Sequence, residues 1–488
     1  MRVLSVQPLN RTVDFWPRLL VTAALLGLLT MQGLALGLFV RHAQLALDFP
    51  YTLNYGEGPL LEQAVRLARG ENIYRPDLST PPYTIANYPP LYPLVQAPFV
   101  AAFGPAFWYG RLISVVSIGV AAIFLGLTVQ TITRDDLAGI VAALTLPAIP
   151  YVFSWSALAR IDSLALALAW AGIYAVVRGR DHRWGLIAGV LLLAGAAYTR
   201  QTYLLVAPFA AGAWLWGDKQ RGQAVLLGVY FFALVLSLFA VLTALTHGGV
   251  FFHLITANIN ANDARLVQFY LDEMAEHLPI FLAATALALL IGFFAGRRLW
   301  WLSTPYTLGA VVTALTISKV GSDVNYLYEL SAAFALAAGA WVVWTRRSPV
   351  LRAVLLLVLA YAVWMAYNLS ASKYQPILVE RVDAAPQMNA LINFIRRVDA
   401  PIIADEHMAL LTLYDKPILI QPFEMSQLAA AGLWDQTPFL EDLERGAYPF
   451  VLIYQPYRNP ILRYERWTRP ILRAINEHYR PLMQTAET

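Results

Sequence analysis

Several charged residues sit at the ends of apolar runs: Glu57, Arg160, Asp162, Arg200, Lys319, Asp323 and Glu329. The middles of those runs hold almost no ionisable side chains. A proton- or ion-coupled transporter needs such groups near the membrane midplane, where the coupling ion binds. Charges gathered at helix ends instead suit an enzyme that works at the interface and takes one substrate from the lipid. A carboxylate placed there accepts the proton of an attacking hydroxyl. Cations placed there stabilise the charge that builds on a leaving phosphate. Each residue also has a plainer reading. Arg160, Arg200 and Lys319 fit snorkelling interfacial anchors, and Asp162 fits a helix cap. Asp323 fits a solvated loop charge, and Glu329 a partner in a helix-surface pair.

Glu57 lies in the most informative stretch, Asn54-Tyr-Gly-Glu57-Gly-Pro-Leu-Leu-Glu-Gln-Ala-Val-Arg-Leu-Ala-Arg-Gly70-Glu-Asn-Ile-Tyr74. Pro59 suits a first helical turn and Gly70 a C-terminal cap. Leu60, Leu61, Ala64, Val65, Leu67 and Ala68 form an apolar stripe, which predicts an amphipathic helix lying along the membrane. Glu57 precedes that helix between two glycines, which let a substrate approach closely. A capping carboxylate favoured by the helix dipole explains the same placement.

The elements that must position these residues follow from composition. Of 488 residues, 58% are hydrophobic and 14% charged, with a mean hydropathy of +0.54. Ordinary soluble chains are roughly a quarter charged. This is a polytopic α-helical membrane protein; disorder, coiled coil and a cytosolic enzyme are excluded. A net charge of +4 is too small to point to nucleic acid. The lack of cysteine removes disulfides, thiolate metal sites and cysteine nucleophiles. The first run, Leu19 to Val40, is too long for a signal-peptide core of roughly 7–15 residues and reads as an uncleaved anchor.

Twelve apolar runs occur, and the charges choose which of them span. Lys and Arg favour cytoplasmic loops. If the run at 89–104 does not cross, then Arg178/Arg180/Arg183, Lys219/Arg221, Arg297/Arg298 and Arg346/Arg347 all fall inside with Arg2, Arg11, Arg18 and Arg134. That run is also broken by Pro89, Pro90, Pro93 and Pro98. The expectation is about 11 transmembrane helices with a cytoplasmic N-terminus. The external segments are then 42–106, 159–163, 198–201, 247–277, 318–326 and the C-terminal region. From Ser370 onward lie 26 of the 66 charged residues, so a membrane domain at 1–369 is expected to give way to a small extracytoplasmic α/β domain at 370–488. Strands are expected at 401–404, 417–420 and 450–454, and helices at 387–398 and 438–445. His247, His253 and His277 share one loop without zinc-motif spacing. Asp405-Glu406-His407 invites a catalytic reading, with a solvated loop as the plainer one.

The Tyr55-Gly-Glu-Gly58 start, the helix ending in Gly70 and Tyr74, and Tyr88-Pro-Pro-Leu-Tyr-Pro93 resemble the first external loop of GT-C glycosyltransferases. The similarity is to the bacterial protein mannosyltransferase-like and RgtA/B/C/D-like branch. Arg160-Ile-Asp162, Thr199-Arg-Gln-Thr202, Val324-Asn-Tyr326 with Glu329, Gln421-Pro-Phe423 and Gly432-Leu-Trp-Asp435 extend it over most of the chain. The resemblance implies transfer of a sugar from a polyprenyl-phosphate donor to a lipid, glycan or protein acceptor on the outer face of a plasma membrane, usually with inversion. It implies Glu57 as the base, Arg160, Arg200 and Lys319 around the donor phosphate, and Tyr55, Tyr88, Asp162, Asn325, Tyr326 and Glu329 as substrate contacts. The chain departs from the pattern at Asn54, where relatives often carry an acidic residue. No cofactor and a metal-independent reaction are therefore expected. The rival readings are a lipid-linked glycan flippase or exporter, and an O-antigen ligase or polymerase.

Overall fold

The computed structural model describes residues 15–295, 297–454 and 466–483. Arg2 and Arg11, counted above among the inside charges, lie outside the described residues. The chain is helical throughout its first three quarters: α1 (Phe15–Asp48), α2 (Glu57–Ala68), α3 (Leu91–Phe103), α4 (Trp108–Thr133), α5 (Asp136–Ala148), α6 (Pro150–Trp155), α7 (Ile161–Arg178), α8 (Arg183–Thr199), α9 (Val206–Gly217) and α10 (Arg221–Leu245). A short α11 (Gly249–Phe251) follows, then α12 (Ala264–His277), α13 (Pro279–Ala295), α14 (Arg297–Leu315), α15 (Tyr328–Trp344) and α16 (Pro349–Leu369). Among the described residues, six helical segments are long and apolar enough to cross a membrane. They become seven when α12 and α13, bent by 96° at their junction, are taken as one. The expected count of eleven is therefore not reached by length and composition; α5 and α8 are apolar but shorter. The Pro-rich run at 89–104 forms α3, whose 13 residues extend only about 20 Å against a hydrocarbon core of about 30 Å.

Apolar faces decide the packing. α7 lies between α4 and α8, α15 lies against α5, and α1 runs along α16. Helix α15 is buried nearly all round, as a helix without a polar face must be. Trp170 of α7 meets Tyr306 of α14 with ring centroids 4.8 Å apart.

The composition change near residue 370 is not a break in the chain path. α16 continues through a π-turn at Ser370–Tyr374 into α17 (Gln375–Ala384) and on to α18 (Asn389–Arg397). Beyond it come β1 (Ile402–Ala404), α19 (Met408–Leu413), α20 (Pro422–Ala430), α21 (Thr437–Glu444), β2 (Phe450–Leu452) and α22 (Arg469–His478). β1 and β2 pair in parallel, Ile403 opposite Val451. The third expected strand forms a single bridge instead, and its partner is the first loop: the Tyr83 N–H donates to the Leu419 carbonyl at 2.7 Å, and the Gln421 N–H to the Tyr83 carbonyl at 3.0 Å. Leu78, Tyr83 and Ile85 share one apolar cluster with Ile420, Leu428, Phe439 and Trp467. First loop and C-terminal region are therefore one packed unit.

That packing changes the expected setting of α2. Every residue from Glu57 to Arg66 is buried, because α3 covers one side and α19 another. Ala409 and Leu413 of the C-terminal segment share an apolar cluster with Leu61, Ala64 and Val65, so the apolar stripe of α2 meets protein.

Candidate functional site

The segments expected outside converge on one end of the helices. Glu57 of the first loop accepts from the Ala159 N–H at 2.8 Å. Asn325 reaches Asp162 at 3.2 Å, and Arg200 pairs with the same carboxylate. Lys319 lies 3.4 Å from the Asn258 side chain. His253 takes a hydrogen bond from the Ala86 N–H at 2.9 Å on Nδ1, which leaves Nε2 to donate to the Arg75 carbonyl at 2.7 Å. Burial holds that imidazole down to about 4, so it is a neutral staple between two loops.

Glu57 has no free oxygen. Arg111, at the start of α4, grips it with Nε and Nη2, each at 2.9 Å. The N–H groups of Leu53 and Ala159 take the remaining positions at 2.7 and 2.8 Å. Both side chains are fully buried. Arg111 uses its other donors on the carbonyls of Ala46, Phe49 and Tyr51, so all five of its N–H groups are engaged. Burial opposes the charge on Glu57, but Arg111 and the two backbone donors outweigh it and hold the carboxyl below its ordinary value. A general base needs an oxygen facing the proton it takes. In this state Glu57 offers none, and it fastens the first loop to α4 and to the α6–α7 junction instead. The flanking glycines serve the same packing. A Cβ on Gly56 would fall 1.2 Å from Nη1 of Arg160, and one on Gly58 would fall 2.7 Å from Cβ of Ala409.

Asp162 stands in the first turn of α7, yet its carboxylate does not cap the helix. It accepts from Trp155 Nε1 at 2.7 Å, from Arg200 and from Asn325. Arg200 is fixed further by the Asn325 carbonyl at 3.0 Å and by the Tyr326 ring, 4.5 Å below it. Asp162 thus aims Arg200.

Arg160 differs from both paired arginines. Its backbone is held by Ser114, and it is only 9% exposed. Among the described residues its guanidinium makes no hydrogen bond or ion pair, and its Nε is buried without a partner. It lies over the rings of Trp155 and Tyr88, at 5.3 and 5.9 Å. A buried cation is costly unless paired, and aromatic faces compensate it only in part. Such a residue keeps its hydrogen-bonding capacity unused among the described residues. Lys319 adds a second cation with no ion pair among the described residues, its ammonium meeting only the Asn258 side chain. Burial, and then Arg200, lower its affinity for the proton.

The remaining expected residues divide. Tyr88 and Tyr326 lie under the two arginines. Glu329 is set deeper, behind Arg200, lining a cavity of about 10 Å³ with Tyr203, Thr313 and Asn325, the room of about one water molecule. Tyr55 points away from Glu57 and donates to Glu424 of α20 at 2.8 Å. Asp323 caps the turn at Val324 with a 2.7 Å bond. Asp405-Glu406-His407 is not a solvated loop. Asp405 is buried and accepts from Trp467 Nε1 and the Tyr454 N–H, each at 3.0 Å, while Glu406 pairs with Arg466.

Sequence reasoning missed Arg111, Glu424 and Arg466. Arg111 carried the same signal as Arg160, a cation at the outer edge of an apolar run. The other two stand in a charged region where nothing local marks them.

Residues 87–247 match the family described as dolichyl-phosphate-mannose-protein mannosyltransferase. No curated protein sequence matches the chain. Among solved structures, ArnT from Cupriavidus metallidurans bound to undecaprenyl phosphate aligns with a TM-score of 0.56 at 14% identity, covering 85% of this chain and 91% of that one. The apo state of the same protein aligns with a TM-score of 0.54, also at 14% identity, over 89% and 92%. At this identity the likeness speaks for the fold. The matched segment 87–247 contains Arg160, Asp162 and Arg200. The protein has the fold of ArnT, and its residues 87–247 match the family described as dolichyl-phosphate-mannose-protein mannosyltransferase.

Proposed function

We propose that this protein is a membrane glycosyltransferase that moves a sugar from a polyprenyl-phosphate donor to an acceptor at the extracytoplasmic face of a plasma membrane. The observation that carries the reading is Arg160, a buried guanidinium with no partner, beside Arg200, which Asp162 holds in place. An acceptor hydroxyl attacks the anomeric carbon, the bond from that carbon to the phosphate oxygen breaks, and the lipid phosphate leaves with the electron pair. One such displacement inverts the anomeric centre. The leaving phosphate gains charge as the bond breaks, so cations fixed beforehand at that point favour the transition state over the bound donor. Arg160, Arg200 and Lys319 supply them. Tyr88 and Tyr326 border the sugar or headgroup. Glu57 holds the first loop through Arg111. The printed description of the ArnT complex names undecaprenyl phosphate, and a lipid of that class is the donor proposed here.

The direction across the membrane has its own support. Arg134, Arg178, Arg180 and Arg298 line a single cleft. α7 leads to it from Asp162, through 18 residues or about 27 Å of helix. Basic side chains at the end opposite the site support a cytoplasmic setting for that end.

The test is release or transfer of labelled sugar from a panel of undecaprenyl-phosphate-linked hexoses and pentoses by purified protein in detergent. One donor turned over by wild type and not by Arg160→Ala is the expected result. No turnover of any donor by intact protein, with flipping of the same lipids in vesicles, would overturn the reading in favour of transport.

A further inference from the structure

The displacement proposed above releases one proton, and Glu57 has no oxygen free to take it. The other carboxylates near Arg160 are held in different ways. Asp162 accepts from Trp155, Arg200 and Asn325. Asp323 caps Val324 and meets the Tyr270 hydroxyl at 3.3 Å. Glu329 has a buried Oε1 with no partner among the described residues, but the cavity it lines with Arg200, about 10 Å³, has room for about one water and none for an acceptor. Glu406 is paired with Arg466.

Glu424 is different. It stands in the first turn of α20, partly exposed, and forms no ion pair among the described residues. Its one side-chain hydrogen bond comes from the Tyr55 hydroxyl. It lies within electrostatic reach of Arg160 on one side and Arg466 on the other. The ring of Tyr55 lines a cleft of about 270 Å³ between the first loop and the C-terminal region. Within that cleft His407 is buried with neither ring nitrogen partnered. Tyr55 thus ties Glu424 to the lining of that cleft, and its neighbour Gly56 packs against the Arg160 guanidinium, so the carboxylate is linked to both.

We infer that Glu424 is the general base of the transfer, taking the proton of an acceptor hydroxyl that enters past Tyr55. This rests on the glycosyltransferase reading. The proton passes from the acceptor oxygen to a Glu424 carboxylate oxygen as that acceptor oxygen bonds to the anomeric carbon, and the phosphate leaves on Arg160 uncapped. The α/β region thereby contributes a reacting group.

The groups facing Glu424 also set its pH behaviour. Burial raises its carboxyl, the Tyr55 hydrogen bond lowers it, and Arg466 and Arg160 lower it further, for a net rise above the ordinary value. A donor phosphate on Arg160 offsets that cation and adds to the rise. The base works ionised, so kcat climbs as pH rises through the folded value.

The experiment uses full-length protein and whichever undecaprenyl-phosphate sugar wild type turns over. Glu424→Gln is expected to lower kcat at least ~100-fold, leave donor KM within about threefold and abolish the ascending pH limb. Tyr55→Phe, which removes a stabilising donor from the carboxylate, shifts the limb to higher pH. Glu424→Asp restores part of the rate. A Glu424→Gln enzyme with wild-type kcat, or with a reduced kcat on an unchanged pH limb, overturns the assignment. If Glu424→Gln does not fold, the Tyr55→Phe limb decides: shifted supports the base, unmoved removes it. No turnover by wild type overturns both the base and the reaction, whereas turnover that ignores Glu424 overturns the base alone.

Discussion

Arg111 and Arg160 begin alike and end differently. Each lies at the start of a helix in the same half of the fold, and each is buried. Arg111 spends every donor on Glu57 and three carbonyls. Arg160 spends none. A satisfied buried charge holds parts together, and an unsatisfied one keeps its binding capacity for something that arrives. The contrast also separates the carboxylates. Glu57 is taken up by packing, while Glu424 keeps one side-chain partner and an open flank.

The sharpest way to break this contrast is Arg111→Ala. It leaves Glu57 buried and unpaired, so a loss of about 3–5 kcal/mol is expected, read as a lower unfolding temperature in detergent. A melt like wild type would erase the distinction between the two arginines. Arg160→Ala should do the reverse. Transfer falls by about 10²–10³-fold, as for other donors aimed at developing charge, while the melt moves little because no hydrogen bond is removed. Asp162→Asn comes next. It keeps the shape and the Trp155 contact but removes the charge that aims Arg200, and a rate about tenfold lower, ~1.4 kcal/mol, is expected. The smallest effect concerns acid. The Glu57 carboxyl lies below its ordinary value, so the stability it contributes is fully present above the unfolded value of about 4.3. That stability is lost as pH falls through the lower folded value. The difference in unfolding temperature between wild type and Glu57→Gln should therefore shrink on acidification, and a difference that widens would contradict the pairing.

Much of the fold was legible because apolar runs of spanning length leave few alternatives. The Pro-rich run at 89–104 was separable from its neighbours by chemistry alone. The same reasoning singled out Arg160, Asp162 and Arg200, which the fold brings together at one end, because a charge beside hydrocarbon is conspicuous; Asn325 and Tyr326 came from the resemblance. It misjudged Glu57 for a physical reason. The partner that commits it is 54 positions away and belongs to a different element, and no local spacing reports on such a pair. α2 shows the same limit. Its apolar stripe was real, but part of what covers it comes from α19, far along the chain. Glu424 and Arg466 stood in a region rich in charge, where no single carboxylate or guanidinium stands out until the fold selects it.

The strand-like bridge between Tyr83 and Ile420 has a consequence for biosynthesis. Ile85 donates its N–H to the side chain of Gln421, 336 positions later in the chain. At roughly 5–20 residues per second of elongation, the first loop emerges some 20–70 s before the segment that completes its apolar cluster is made. During that interval Leu78, Tyr83 and Ile85 lack every C-terminal member of their cluster. A ribosome stalled before codon 420 should leave a first loop that proteases cut readily. The same loop should become resistant within moments of release of the full-length chain.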